Sequence, residues 1–208
     1  INLSAIFIII FSHKLLKLRL FTLLMSIILI IIVSYINPTA YKRVFNKTID
    51  QMNLNSKNND DQIYLFSKAH TEYYISAYMI FLDNKILGVG VKNFRNICKN
   101  PKYFVKNKEV CNNHPHNTYL QILAETGLIG FFFLLIILFN FCKHIFIHLK
   151  YRLKKKQYFN DFEICILSGI SICLWPFIPT GNVFNNWLNI ITILNLPFLI
   201  WSISLRKT

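Results

Sequence analysis

The sequence predicts an all-α, polytopic membrane protein with one large helical loop outside the cytoplasm, and three observations carry that prediction. Apolar residues make up 54% of the 208-residue chain and lie in long blocks of Ile, Leu and Phe, not spread as in a globular domain. Several blocks reach the roughly 17–25 residues that span a bilayer, and lipid leaves unpaired backbone no partner except inside a helix. The net charge of +14 concentrates in short links between the blocks. That placement argues for membrane topology and against nucleic-acid binding.

Residues 1–11 are apolar but too short to span. The chain opens on Ile1, not Met, and reads as the C-terminal part of a longer protein entered within a helix. A signal peptide does not fit, because no basic region precedes the run and no small-residue cleavage site follows it. The link 12–19 carries Lys14, Lys17 and Arg19, and residues 20–36 form a clear span that Asn37-Pro38 stops. A long polar region follows. In it, Tyr41, Val44, Phe45, Thr48, Ile49 and Met52 keep helical spacing with Lys42, Arg43 and Lys47 opposite, the pattern of a helix lying on a membrane surface. Residues 53–61 read as a polar linker and 67–82 as a second loop helix bearing His70, Tyr73, Tyr74, Ala77 and Phe81. Gly88-Val89-Gly90 breaks the chain; with no preceding strand and no third Gly, it is not a dinucleotide fingerprint.

A second clear span covers 127–141, a strongly basic link 143–156, a third span 164–178 with Pro176 and Pro179 at its end, and a last span 187–205 before Arg206-Lys207. The basic links 12–19, 143–156 and 206–207 fall on one side by helix count, and the uncharged turn 180–186 falls on the other with the long loop. The positive-inside rule therefore puts the loop outside and the C-terminus in the cytoplasm. The expected organisation is a truncated span, basic link and one transmembrane helix in 1–36. An outer loop holding the candidate active site fills 37–125, and three transmembrane helices with a basic cytoplasmic link fill 126–208.

The stretch His114-Pro115-His116-Asn117-Thr118-Tyr119-Leu120-Gln121-Ile122-Leu123-Ala124-Glu125-Thr126-Gly127-Leu128-Ile129-Gly130 runs a polar cluster directly into a span. Asn113 or His114 is expected to cap a helix with Pro115 at its first position. Asn117, Gln121 and Glu125 then recur every fourth residue as a polar stripe. Taken by themselves, His114 and His116 suit either a general base of near-neutral pKa or a cap beside an interfacial histidine. Two histidines give too few ligands for zinc, so no metal is expected. Arg95, Lys92 and Lys99 flank Phe94 and suit a diphosphate, Arg as a bidentate fork and Lys as a point charge. Cys98 and Cys111 are the loop's cysteines, and an oxidising compartment would keep them paired as a disulfide. Asn182, Asn185, Asn186 and Trp187 line the other outer turn, where they suit either a sugar or, for Trp187, an ordinary place at the membrane interface.

This stretch, with the upstream Phe81-Leu82-Asp83-Asn84-Lys85-Ile86-Leu87-Gly88-Val89-Gly90-Val91-Lys92-Asn93-Phe94, resembles the O-antigen ligase and polymerase family of bacterial envelopes. The resemblance covers about residues 81–131. It implies a multi-spanning glycosyltransferase of the GT-C type in the inner membrane, with a periplasmic active loop and no cofactor or metal. The implied donor is a polyprenyl (undecaprenyl) diphosphate-linked glycan. The acceptor is lipid A core for a ligase, the favoured reading, or a second lipid-linked glycan for a polymerase. It also selects His116, ahead of His114, as the base. Arg95, Lys92, His70, Asn117 and Glu125 become the donor-binding set. Relatives carry an Arg on the helix before the Gly-x-Gly segment, whereas this chain has His70 there. A non-enzymatic transporter subunit is the second alternative, disfavoured because the spans carry almost no polar residues apart from Asn189 and Asn195.

Overall fold

The computed structural model describes residues 2–12, 14–52, 64–106, 108–185, 187, 190 and 193–205. The expected linker 53–61, together with Asn186, Asn189 and the pair Arg206-Lys207, lies outside the described residues. Among the described residues, regular structure is helical apart from one isolated bridge between Val105 and Lys108.

A short helix α1 (Asn2–Phe11) leads through Leu15, at φ 56°, into α2 (Leu16–Ile36). α2 has 21 residues, none of them buried within the chain. Its Ile and Leu side chains face outward all round, as a helix solvated by lipid must. The expected surface helix is present as α3 (Pro38–Tyr41), a π-helical turn Lys42–Asn46 and α4 (Lys47–Gln51). Tyr41 and Phe45 stack on its exposed side with ring centroids 5.0 Å apart. The second loop helix is α5 (Lys68–Asp83), capped by Ser67, whose Oγ accepts from the His70 N–H at 3.3 Å. A single turn, α6 (Phe94–Ile97), follows the glycine segment.

The longest element, α7 (Thr118–Leu153), has 36 residues and is the second helix long and apolar enough to cross a membrane. It runs through the basic stretch expected as a link from 143, so Lys143 and Lys150 ride on the helix. It is not one straight rod. Gly127 sits at φ 64°, ψ −160° and breaks the helix, freeing backbone groups on both sides. The 85–90 segment takes them up. Val89 and Gly90 N–H donate to the Ala124 and Glu125 carbonyls at 3.0 and 2.9 Å, and Leu128 and Ile129 N–H donate to Lys85 and Ile86 carbonyls at 2.7 and 3.3 Å. A Cβ at Gly88 would fall on the Glu125 backbone, and one at Gly127 on the Ile86 carbonyl. Both positions also hold positive φ. Only glycine suits both demands.

Around this clasp α5 packs on the first part of α7, over a core of Ala77, Ile80, Phe94, Cys98, Tyr103 and Ala124. A second core lies farther along α7, where α8 (Asp161–Cys173) packs against α1 and against α9 (Asn195–Ser204) around Ile164, Leu167 and Ile170. α8 starts in a capping box between Asn160 and Glu163. Of the expected spans, 164–178 holds α8 only as far as Cys173, a helix of 13 residues against about 20 for a span; 187–205 is described only in part, with α9 covering 10 of its residues. Pro176 cannot extend α8, since it lacks the N–H an interior turn requires.

The molecule has two distinct ends. At one, Arg19 meets Asp161 at 3.3 Å and the His148 ring bonds the Phe11 carbonyl at 2.8 Å. At the other, the turn after α8 meets the histidine segment, with Thr180 N–H donating to the His116 carbonyl at 2.9 Å.

Candidate active site

The helix bearing the polar stripe begins three residues later than expected. Asn117 is its cap and Thr118 its first residue, so neither Asn113 nor His114 caps it and Pro115 is buried in the loop before it. The cause is His116, whose φ of 58° is left-handed and cannot continue a helix from Pro115. Asn117 Oδ1 accepts from Tyr119 and Leu120 N–H at 3.0 and 3.1 Å, while its Nδ2 donates to the Pro176 carbonyl at 3.1 Å.

The stripe faces inward. Gln121 and Glu125 are fully buried. Glu125 Oε1 accepts from Phe94 N–H at 3.0 Å, and Oε2 accepts from Lys92 N–H at 3.0 Å and from Gln121 Nε2 at 3.1 Å. A buried carboxylate needs donors of this kind. It finds them at the backbone that leads into α6, so it meets neither a histidine nor solvent. Gln121 also donates to Asn182 Oδ1 at 2.8 Å and accepts from Val183 N–H at 3.0 Å. Asn117, Gln121 and Glu125 thus tie three loops to one helix, and the bonds described for Asn117 and Glu125 are all to the protein's own framework.

Folding gathers the three loop histidines. The His114 and His116 rings lie 4.1 Å apart, and His70 comes edge-on to His116 at 5.3 Å. Tyr73 packs beside His116 at 5.9 Å. His114 Nε2 lies 3.2 Å from the Thr180 carbonyl. A carbonyl only accepts, so Nε2 carries the proton and Nδ1 the lone pair. That Nδ1 is buried without a partner among the described residues. His116 Nε2 receives the Asn112 amide at 3.0 Å, and His70 Nδ1 pairs with Ser67 Oγ at 2.6 Å. Burial lowers the pKa of all three below the ordinary imidazole value. The charge of His116 lowers His114 and His70 further, while the Thr180 backbone partly opposes the shift at His114 and His116. Asn112 escaped the sequence reading; its one signal was its place four residues before His116.

Lys92, Arg95, Asn113 and His114 line one cavity of about 510 Å³, closed on the far side by Gly181, Asn182, Asn185 and Trp187. His116 stands behind His114, and His70 beyond it. Lys99 faces a neighbouring recess that also contains Arg95 and Glu109. Cys98 and Cys111 are joined as a disulfide with Cα atoms 5.3 Å apart. The bridge links the end of α6, which bears Arg95, to the segment entering the histidines. Among the described residues, no group of three or more His, Cys, Asp or Glu has the geometry to hold a metal ion.

A family model described as O-antigen ligase matches residues 2–135, more than half of the chain and all of the histidine, cation and clasp segments. No curated protein and no solved structure matches.

Proposed function

From the premise that the chain belongs to the O-antigen ligase family, we propose that it transfers a glycan from a polyprenyl diphosphate carrier to a hydroxyl of lipid A core at the outer face of the bacterial inner membrane. The family carries ligase or polymerase activity on lipid-linked glycans. The observation that supports this reading best is the single cavity that combines Lys92 and Arg95 with a histidine from a segment nearly 20 residues downstream. Lys92 and Arg95 neutralise the diphosphate. The acceptor hydroxyl attacks the anomeric carbon, the new C–O bond forms as the bond to the diphosphate breaks, and the electron pair leaves with the phosphate oxygen. The hydroxyl proton passes to an imidazole. His116 is the proposed base; its burial keeps it neutral near pH 7, and it takes the proton at Nε2 once the acceptor hydroxyl displaces the Asn112 amide from that nitrogen. The two cations take the role that a metal ion plays in other phosphate sites.

The arrangement of the two ends supports the orientation. The links around Arg19 and Asp161 meet at one end, and the histidine segment meets the 176–183 turn at the other. One end then faces the cytoplasm and the other the periplasm. A second assignment of the base has a specific observation in its favour. His114, not His116, lines the cavity, and its buried Nδ1 lacks a partner among the described residues.

Transfer in proteoliposomes, with a polyprenyl diphosphate glycan and lipid acceptor, tests both. A base contributes about 10²–10⁴-fold to rate, so His116→Ala should lose that much while inserting normally. Loss in His114→Ala with near-normal His116→Ala moves the base to His114. Near-normal transfer by both variants refutes histidine base catalysis. Loss with chelator, restored by a divalent metal, refutes metal independence.

A further inference from the structure

The far wall of the cavity has a different chemistry from the near one. Residues 180–185 are pinned to the start of α7 by side chains and backbone together. Thr118 Oγ1 donates to Thr180 Oγ1 at 3.0 Å, and Gln121 bonds both Asn182 and Val183. Asn182 Oδ1 is taken up by Gln121 and by Phe184 N–H at 2.9 Å; Asn185 Oδ1 accepts from Trp187 N–H at 3.1 Å. Each amide oxygen is therefore spent on the turn itself. Each Nδ2 is without a partner among the described residues, on side chains that line the cavity. Trp187, 79% exposed, completes the wall.

Amide donors without charge leave a phosphate to the cations of the near wall, and donors beside a flat indole suit an acyl chain poorly. They suit a pyranose, whose C–H face packs on an aromatic plane while its oxygens accept hydrogen bonds. We propose that Asn182, Asn185 and Trp187 form a saccharide subsite for the sugar joined directly to the diphosphate held by Lys92 and Arg95. It rests on the donor reading above and adds that this wall, and not the cations, discriminates among glycans. One cavity of about 510 Å³ holds both walls, so sugar and diphosphate are bound as one unit.

The test is equilibrium binding to the full-length protein in nanodiscs, without acceptor. The probes are a polyprenyl diphosphate bearing one hexosamine and the same polyprenyl diphosphate without sugar. The wild type should prefer the sugar-bearing lipid. Trp187→Ala and Asn185→Ala should each cut that preference about tenfold, the size of one lost good contact, with affinity for the sugar-free lipid unchanged. Trp187→Phe, which keeps an aromatic face, should retain most of it. Arg95→Ala should weaken both lipids alike. Equal wild-type affinity for the two lipids overturns the subsite but leaves the diphosphate site standing. Equal weakening of both lipids by Trp187→Ala also overturns it, and makes Trp187 a membrane anchor. Wild-type protein that binds neither lipid overturns the donor reading and the subsite with it.

Discussion

Glu125→Gln separates a carboxylate that holds the site from one that touches substrate. The side chain is fully buried and accepts three hydrogen bonds, two from the backbone at Lys92 and Phe94. Glutamine keeps the shape but offers a single oxygen. Its NH₂ must then face at least one buried donor, and an unsatisfied buried group costs about 1–3 kcal/mol. The remaining bonds lose charge assistance, which accounts for roughly half the strength of such bonds. The sum is roughly 2–4 kcal/mol. For a domain of about 150–250 residues each kcal/mol moves the melting temperature by about 2–4 °C, so the midpoint in detergent should fall by roughly 4–16 °C. Hydrogen exchange should accelerate at the Lys92 and Phe94 amides before it does in α7. Because Lys92 and Arg95 ride on the segment released, KM for the lipid-linked donor should rise more than kcat falls. An unchanged melting temperature and unchanged protection, together with collapsed transfer, would refute the positioning role.

Two further predictions follow the charges. The acid limb of kcat/KM should lie below pH 6.5, because burial lowers His116 from that ordinary value; a limb centred above neutrality would exclude a buried imidazole as base. Stability should fall on acidification in the same window, since the unfolded chain takes up protons before the folded histidines can, and thermal scans from pH 7.5 to 5 read the sign directly. For orientation, single cysteines replacing the exposed Lys99 and Lys155 should react with an impermeant thiol reagent on spheroplasts at 99 only. Labelling at 155 alone would invert the topology.

The apolar blocks made α2 and the membrane part of α7 legible, and Ser67 with the pattern after it made α5 legible to within a residue. Those features are local. The start of α7 was misplaced because Pro115 at a helix start is a local preference, and His116 in the left-handed region overrode it. The four-residue period of Asn117, Gln121 and Glu125 could be read, but not what they would face. Their partners at 92–94 and 182–183 lie about 30 and 60 residues away, and most are backbone groups that leave no mark on the side-chain pattern. The approach of His70 to His116 was hidden for the same reason. The end of α8 was placed five residues too late because apolar composition alone does not say where a helix stops.

The clasp at Gly127 is written entirely in main-chain atoms, and this decides where the protein is free to vary. Ile86 and Leu87 point outward, 67% and 71% exposed, while the Lys85 and Ile86 carbonyls and the Val89 and Gly90 N–H groups hold the break in α7. Substitutions at 85, 86 and 87 therefore leave the main-chain bonds across the bend in place, since any residue supplies the same C=O, whereas 89 must keep an N–H and excludes proline. A stretch of sequence beside the break can drift without retuning the scaffold, as long as Gly88 and Gly127 stay bare of a side chain.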